Sequence, residues 1–217
     1  MYYLDLFAGI GGFALGAYNA GWRFDRHYFS EIDPWCCKLY ARRFPDAVPL
    51  GDIREIKELP PGEWIITGGF PCQPFSTASR GRKTATDLWP EMLRVIRLAK
   101  PRWIIAENVE RAPIAKAISD CRYEYECEVY KIPAAAVGAA HYRDRYWMVA
   151  HANSEGKSHV SVHEKVEGLQ VLPRLGEEID PSSVGKNDGL SGRMDRLRGL
   201  GNAIVPQIAE MLFRGMM

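Results

Sequence analysis

The sequence has almost no net charge, no long apolar run and no paired cysteine motif, and each absence excludes a class of protein. Its 28 lysines and arginines and 27 aspartates and glutamates leave a formal net charge of +1. No global field therefore draws the chain to nucleic acid, and a surface that binds it must be a local patch. No apolar run is long enough to span a bilayer, and no secretory leader follows Met1. We therefore expect a cytoplasmic protein without a membrane partner.

Cysteine is scarce, and its spacing is informative. The five cysteines stand at positions 36, 37, 72, 121 and 127. Their number is odd and no two form a C-x-x-C pair, so neither a disulfide framework nor a cysteine zinc site is predicted. We expect no bound metal.

Short apolar runs alternate with amphipathic ones over the first two thirds of the chain, which is typical of βαβ units. Strands are predicted at 2–7, 27–32, just before Gly51, 63–69, 102–108, 124–132 and 146–150, and helices at 13–21, from Pro34 to about 44, 87–99 and 193–213. Asp33 suits the cap of the second helix and Pro34 its first position. The pattern indicates an α/β fold whose sheet is covered on both faces.

Two features near the start of the chain are ambiguous by themselves. The glycine turn AGIGG (8–12) lies between the first strand and first helix, where backbone donors can approach a ligand. Glu31 ends the second strand, where doubly wound folds often place a carboxylate against a ribose. Each feature alone fits a cofactor site and plain architecture equally well.

The segment GGFPCQPFS (68–76) places Cys72 in a loop stiffened by Pro71 and Pro74. The preceding strand should deliver this loop to the carboxyl edge of the sheet, where open α/β folds bind ligands. Structural cysteines usually pack inside helices and strands, so a cysteine fixed in a polar turn favours a nucleophile. A free thiol has a pKa of about 8.5, so such a site must favour the thiolate or remove the proton.

Further polar residues follow the later strands. Glu107 and Asn108 close the fifth strand, where a carboxylate suits either contact with a substrate ring or the cap of the turn that follows. Arg143 and Arg145 alternate before an apolar run, so both project from one face. Such arginines can bind a carbonyl or a phosphate, or can simply be exposed to solvent. The basic segments 79–83 and 193–198 are equally open between polyanion contact and solubility.

Together these pieces resemble the ordered motifs of the DNA (cytosine-5) methyltransferases. The matching segments are DLFAGIGGF, SEID, GDI, GGFPCQPFS, DLWPE, ENV, RDR and GLGNAIVPQ. They cover about residues 1–150 and 190–217, and the PCQ loop combined with ENV and GN-x-V-P is highly specific. The compact chain and its minimal recognition segment suit a member of phage or prophage type.

The resemblance implies a Rossmann-like methyltransferase fold with a mostly parallel sheet. Residues 1–150 would form the catalytic and cofactor-binding domain, 151–190 a small, reduced target-recognition segment, and 191–217 a C-terminal segment completing the catalytic domain. It implies S-adenosylmethionine as cofactor, double-stranded DNA as partner and a monomeric enzyme.

By motif match, the resemblance also assigns site residues. The implied cofactor-binding residues are Phe7, Gly9 and Gly11 in the turn, Glu31 on the ribose, Ile32 against adenine, Asp52 and Ile53 at the adenine edge, and Leu88, Asn202 and Ala203. The implied catalytic residues are Cys72, Glu107, Arg143 and Arg145.

The implied chemistry explains why a cysteine stands between prolines. Addition of the Cys72 thiolate to carbon 6 of cytosine makes carbon 5 able to accept a methyl group. Glu107 would stabilise a proton at ring nitrogen 3, and Arg145, supported by Arg143, would lie near the base carbonyl. The cytosine must leave the helix stack to reach such a pocket.

Two departures and three rival hypotheses accompany this resemblance. The short segment at 151–190 predicts a short or relaxed recognition sequence, or help from a partner. His141-Tyr142 stand where the family commonly has Pro-Gln, which puts the local strand start in question. The rivals are the same chemistry on RNA, a silent DNA- or cofactor-binding descendant, and a thiol-redox or metal protein, which the lack of C-x-x-C disfavours.

Overall fold

A seven-stranded sheet organises the molecule in the computed structural model, which describes residues 1–71, 87–137, 144–153 and 203–217. The strands are β1 (Tyr2–Leu6), β2 (Arg26–Ser30), β3 (Val48–Pro49), β4 (Trp64–Gly69), β5 (Trp103–Asn108), β6 (Tyr125–Pro133) and β7 (Asp144–Ala152). The helices are α1 (Gly12–Asn19), α2 (Pro34–Arg43), α3 (Trp89–Ala99), α4 (Arg111–Cys121) and α5 (Pro206–Gly215). Two short 3₁₀ helices span Ile53–Glu55 and Ala134–Val137.

The sheet has the order β3-β2-β1-β4-β5-β7-β6. The first five strands in this order pair in parallel, and β7 pairs antiparallel with both β5 and β6. The prediction of an α/β fold with a mostly parallel sheet is confirmed. The carboxyl ends of β1, β2, β4 and β5 meet at one edge, which is the usual ligand edge of such sheets.

Two apolar layers cover the sheet, one on each face. Side chains alternate along β5, so Ile105 packs with α1 and α5 while Ile104 packs with α3 and α4. Every residue of β5 is buried. Burial on both faces accounts for the continuous apolar runs of the central strands.

Helix α2 begins as its sequence predicts. The Asp33 carboxylate accepts hydrogen bonds from the backbone N–H of Trp35 at 2.8 Å and of Cys36 at 3.1 Å. Pro34 occupies the first turn, where its missing N–H costs no hydrogen bond. This cap fixes the direction of the chain just after Glu31.

Helix α5 lies against α1, although the two are far apart in sequence. A Cβ at Gly16 would meet Cβ of Ala209 at 2.5 Å and backbone of α5 at nearly the same distance, so only glycine permits this approach. The indole of Trp22 donates to the carbonyl of Phe213 at 3.0 Å. The described part of the C-terminal segment is therefore packed into the layer that begins at α1.

One helix was not predicted from the sequence. Residues 111–121 form α4, whereas only a turn was expected after Asn108. Pro113 obscured its pattern, yet proline is tolerated within a first helical turn because the N–H groups there lack helical partners. The predicted strands were otherwise confirmed to within a few residues. The predicted helical stretch at 193–213 is corrected in its described part: residues 203–205 are not helical, and the helix begins at Pro206, where a proline suits the first turn. Residues 154–202 lie outside the described residues.

Candidate active site

The turn after β1 has an unusual backbone. Phe7, Gly9 and Gly11 have φ angles of +52°, +52° and +84°. This left-handed region is easy for glycine but costly for Phe7, and such outliers concentrate at functional sites. A Cβ at Gly9 would meet no atom of the described residues within 4 Å, so this part of the chain leaves space beside the turn.

The carboxylate of Glu31 ties the turn after β1 to the end of β2. Its Oε2 accepts from the N–H of Gly9 at 2.8 Å, and its Oε1 accepts from the N–H groups of Ile32 and Asp33, both at 2.8 Å. The carboxylate therefore faces the glycine turn. Ile32 beside it is 69% exposed, which leaves its side chain available to cover a flat ring.

A buried acid supports the turn from below. Asp5 is fully buried and accepts from the hydroxyl of Thr67 at 2.9 Å and of Tyr40 at 3.1 Å. It also accepts from the backbone N–H of Ala14 in α1. Burial raises the pKa of Asp5 to about 8, although these hydrogen bonds act to lower it. Asp5 thus joins β1, β4, α2 and the first turn of α1.

The hydrogen-bonded chain continues from Tyr40 to the edge of this layer. Nε2 of His27 lies 2.8 Å from the Tyr40 hydroxyl, and Nδ1 lies 3.2 Å from the hydroxyl of Tyr18. Burial lowers the pKa of His27 to about 4, so its ring is neutral near pH 7. No basic side chain pairs with Asp5 in this described network, which consists of hydroxyls and a neutral imidazole.

Asp52 and Ile53 differ in which of their groups a ligand can contact. The carboxylate of Asp52 is paired with the guanidinium of Arg54 and accepts from its Nε at 2.9 Å. That hydrogen bond holds the pKa of Asp52 down at about 2. Ile53 is only 3% exposed and packs in the layer with α3, so only its main chain is left for a ligand.

Ile204 brings the C-terminal segment to the glycine turn. A Cβ on Gly12 would meet the Ile204 carbonyl oxygen at 2.5 Å. A Cβ on Gly69 would lie 3.4 Å from Cδ1 of Ile204 and 3.1 Å from Oε2 of Glu107. Ile204 therefore lies between the turn and the end of β4, and Ala203, one of the expected cofactor residues, directly precedes it.

Glu107 and Arg145 form an ion pair at the same edge. Nε of Arg145 lies 3.0 Å from Oε1 of Glu107, with the two side chains 17% and 10% exposed. The contact is electrostatic and lacks hydrogen-bond alignment at that nitrogen. Antiparallel pairing places the start of β7 beside the end of β5, which brings Arg145 to this edge.

Asn108 fixes the start of the cysteine loop. Its amide donates to the carbonyl of Phe70 at 2.9 Å, while its Oδ1 accepts from the N–H of Glu110 at 3.1 Å. Phe70 is buried and stands two residues before Cys72. The asparagine therefore acts both on the loop that carries the thiol and on the start of α4.

Of the remaining predicted site residues, the structure describes only Leu88. Leu88 is half-buried and immediately precedes α3. Cys72, Arg143 and Asn202 lie outside the described residues, as do His141, Tyr142 and the basic segments 79–83 and 193–198. The structure thus brings together the glycine turn, Glu31, the Ala203-Ile204 pair, Glu107 and Arg145.

Sequence reasoning missed the supporting roles of four residues. Asp5 had a signal, since a carboxylate inside an apolar strand needs a buried partner. Gly12 and Ile204 had none, because their contact joins positions far apart in the chain. Arg94, which contacts the turn after Asp52, was hidden among the charges of an amphipathic helix.

Two negative observations apply to the described part of the chain. Residues 1–71, 87–137, 144–153 and 203–217 contain no helix with the length and apolarity needed to cross a membrane. The same residues contain no group of three or more histidine, cysteine, aspartate or glutamate side chains arranged to hold a metal ion.

Sequence comparisons identify relatives of one kind. A family model described as C-5 cytosine-specific DNA methylase matches residues 1–179. The chain is 30% identical over 198 residues to Type II methyltransferase M.HgiCII of Herpetosiphon aurantiacus, covering 84% of this chain and 44% of that protein. It is 32% identical over 193 residues to Type II methyltransferase M1.ScrFI of Lactococcus lactis subsp. cremoris, covering 82% and 48%. The chain spans about half or less of the length of these relatives.

Solved structures agree with the architecture. A prophage-encoded DNA modification methyltransferase from E. coli superposes with a TM-score of 0.60 at 27% identity, covering 82% of this chain and 52% of that one. The S. pombe Dnmt2 methyltransferase gives a TM-score of 0.60 at 18% identity, covering 82% and 56%. The latter likeness concerns the fold alone.

Proposed function

Because this chain belongs to the C-5 cytosine-specific DNA methylase family, we propose that it transfers a methyl group from S-adenosylmethionine to carbon 5 of a cytosine in DNA. One observation carries the proposal. The Glu107–Arg145 ion pair and the glycine turn lie on either side of Ile204. A carboxylate suited to a base and a turn suited to a cofactor thus share one edge of the sheet.

The family uses S-adenosylmethionine as its methyl donor, and the residues present fit that group. Among the described residues, the turn after β1 is open at Gly9, the Glu31 carboxylate faces it, and the exposed Ile32 lies nearby. Glu31 would accept from the ribose hydroxyls, Ile32 would cover the adenine, and Asp52 with the main chain of Ile53 would meet the adenine edge. Phe7, Gly11, Leu88, Asn202 and Ala203 would complete the surroundings of the cofactor. When bound, the cofactor supplies an electrophilic methyl group.

Cys72 performs the first covalent step. Its thiolate adds to carbon 6 of the cytosine, forming a carbon–sulfur bond and pushing electron density to carbon 5. After carbon 5 is methylated, loss of its proton expels the Cys72 thiolate and restores the aromatic ring. The net products are 5-methylcytosine, the demethylated cofactor and one proton, so the cysteine is regenerated.

Glu107 and Arg145 hold the base during that step. The side chain of Glu107 is nearly buried, so water competes little with its contacts to the ring. It stabilises a proton at nitrogen 3 and accepts from the exocyclic amine, which favours nucleophilic addition at carbon 6. Arg145 neutralises Glu107 and lies near the base carbonyl, with Arg143 in support.

The substrate is double-stranded DNA with the target base rotated out of the stack. Carbon 6 and carbon 5 of a stacked cytosine are not accessible to a thiol on a protein loop, so extrusion precedes chemistry. Residues 151–190 are few for reading base edges, and we propose a short or relaxed recognition sequence, or a partner that assists. A sequencing map with a long, strict site methylated by this chain alone would contradict this part.

Methyl transfer from labelled S-adenosylmethionine tests the function. Duplex DNA and transfer RNA are offered in parallel to the wild-type chain and to Cys72→Ser. We expect label in duplex DNA with the wild type only, with the serine variant reduced by about 10⁴-fold or more, as for loss of a covalent nucleophile. Label in transfer RNA alone would assign the substrate to RNA, and label in neither would refute the proposed activity.

A further inference from the structure

The short turn formed by residues 52–56 has little stability of its own. It contains a single 3₁₀ turn, closed by the Glu55 N–H to the Asp52 carbonyl at 2.9 Å and the Ile56 N–H to the Ile53 carbonyl at 3.3 Å. So short a helix does not hold its geometry without tertiary contacts. Contacts with other parts of the chain must therefore hold the turn in place if it is to bind a ligand.

Arg94 of α3 provides that contact. Its Nη2 donates to the carbonyl of Ile53 at 2.8 Å, and its Nη1 donates to the carbonyl of Ile56 at 2.6 Å. Its Nε donates to the carboxylate of Glu91 at 2.8 Å. A planar guanidinium with fixed N–H directions sets the positions of both carbonyls together, which a flexible ammonium cannot do.

The buried side chains hold the turn from the same direction. Ile53 and Ile56 are 3% and 5% exposed and pack in the layer that contains α3. Both side chains and both carbonyls are therefore directed to the protein. The Asp52 carboxylate is held separately by the guanidinium and the N–H of Arg54. This carboxylate and the main chain of Ile53 are the groups that the proposed function places at the adenine edge.

We propose that Arg94 is a positioning residue that sets the preference of the cofactor site for adenine. It fixes the Ile53 and Ile56 carbonyls, and so holds the turn that carries Asp52 and the main chain of Ile53 against the edge of the ring, while Arg54 holds the Asp52 carboxylate within that turn. This inference rests on the proposed function, because it requires a purine cofactor at this turn.

The hydrogen-bond pattern of the ring makes the inference testable. Adenine offers an amine donor at position 6 and an acceptor at nitrogen 1, which match a carboxylate and an N–H. Hypoxanthine offers a carbonyl at position 6 and a donor at nitrogen 1, so both contacts become mismatched. A turn held in place makes both contacts with adenine and neither with hypoxanthine, whereas a loosened turn loses contacts that only adenine makes.

The experiment compares binding of S-adenosylhomocysteine and S-inosylhomocysteine to the full chain by calorimetry. We expect the wild type to prefer the adenine compound by about 10²-fold, and Arg94→Lys to reduce this ratio to about tenfold or less. The loss should come from weaker binding of the adenine compound, with the inosine compound nearly unchanged.

Three variants separate positioning from general stability. Arg97→Lys alters an exposed arginine on the same helix and should keep the wild-type ratio. Glu91→Gln removes the ion pair but leaves both carbonyl contacts, so its ratio should also be close to wild type. Arg94→Gln keeps amide donors for one carbonyl, and serves if the lysine variant does not fold; its ratio should lie below the wild-type value.

Each result that would contradict the proposal has a different meaning. Arg94 variants with lower melting temperatures but an unchanged ratio would overturn the positioning role and leave the proposed function intact. A wild-type chain that binds both compounds equally would overturn the assignment of this turn to adenine. Failure of the folded wild type to bind either compound would overturn the proposed function together with the inference.

Discussion

The two halves of the candidate site are held in place by different forces. On the cofactor side, backbone groups and buried hydrogen bonds fix the glycine turn, through Asp5, Glu31 and the close approach of Ile204 to Gly12. On the base side, the described contact between the two proposed catalytic side chains is an ion pair, between Glu107 and Arg145. The cofactor half is therefore shaped by the main chain, whereas the base half is shaped by charge.

The topology of the sheet produces this difference. The parallel strands β1, β2 and β4 deliver their carboxyl ends, with the turns that follow, to the cofactor half. Strand β7 runs in the opposite direction, so it delivers its start to the same edge, next to the end of β5. A parallel seventh strand would have placed Arg145 at the far edge of the sheet.

Among the variants that separate the two halves, Glu107→Gln should have the largest effect on activity. It removes the charge of the Glu107 side chain and keeps its shape. Methyl transfer should fall by about 10² to 10⁴-fold, because proton stabilisation at nitrogen 3 is lost. Binding of S-adenosylhomocysteine should change little, since the cofactor half is held independently. Single-turnover rates and calorimetry measure the two effects.

Glu126→Gln is the matched control, since Glu126 is exposed on β6 away from this edge. It should keep the wild-type rate. A Glu107→Gln variant that loses cofactor binding as severely as its rate would show that the two halves are not independent.

A smaller effect is expected from Gly12→Ala, which disturbs the contact between the cofactor turn and Ile204. The new Cβ would meet the Ile204 backbone, so one segment must shift, at a cost of about 1 to 3 kcal/mol in the free energy of unfolding. Affinity for S-adenosylhomocysteine should fall by roughly tenfold, which corresponds to about 1.4 kcal/mol. Denaturant unfolding and calorimetry check both values.

Gly16→Ala separates packing from cofactor binding. Its Cβ would meet Ala209 and the backbone of α5, so it should destabilise the chain to a similar degree. It lies one helical turn from the cofactor turn and should leave cofactor affinity nearly unchanged. Equal losses of affinity in the two variants would mean that Ile204 has no particular role at the cofactor.

The smallest expected effect is the change of folding stability with pH, which tests the buried groups Asp5 and His27 of the cofactor half. The pKa of Asp5 is about 8 in the folded chain and 3.8 ordinarily, so its contribution to stability is present at low pH and is lost as pH rises to about 8. The pKa of His27 is lowered to about 4 from 6.5, so its contribution is present above pH 6.5 and is lost as pH falls. The two groups oppose one another between pH 4 and 6.5.

Between about pH 6.5 and 8, the contribution of His27 to stability is nearly constant, so the change in stability with pH comes from Asp5. The free energy of unfolding should therefore decrease with rising pH, by up to about 1.4 kcal/mol per pH unit. Asp5→Asn should flatten this decrease, as measured by denaturant unfolding across the range. A variant with the same slope as the wild type would exclude Asp5 as its source.

Local structure near the glycine turn was easier to predict from the sequence than the distant contacts that support it. The glycine turn, Glu31 and the Asp33 cap are local patterns, and local patterns survive folding when tertiary contacts agree with them. The contacts of Gly12 with Ile204 and of Arg94 with Ile53 join distant segments, so no local pattern announces them. The direction of β7 was also unpredictable from its apolar run, because alternation does not encode the direction of pairing. The chemistry at Cys72 stays a prediction.

The covalent role of Cys72 is tested most directly by trapping. The chain is incubated with labelled S-adenosylmethionine and duplex DNA that carries 5-fluorocytosine, in which fluorine blocks the final loss from carbon 5. We predict a denaturant-stable adduct between protein and DNA that is absent with Cys72→Ser. An adduct that persists in Cys72→Ser, or no adduct from a wild-type chain that methylates unmodified DNA, would contradict the account.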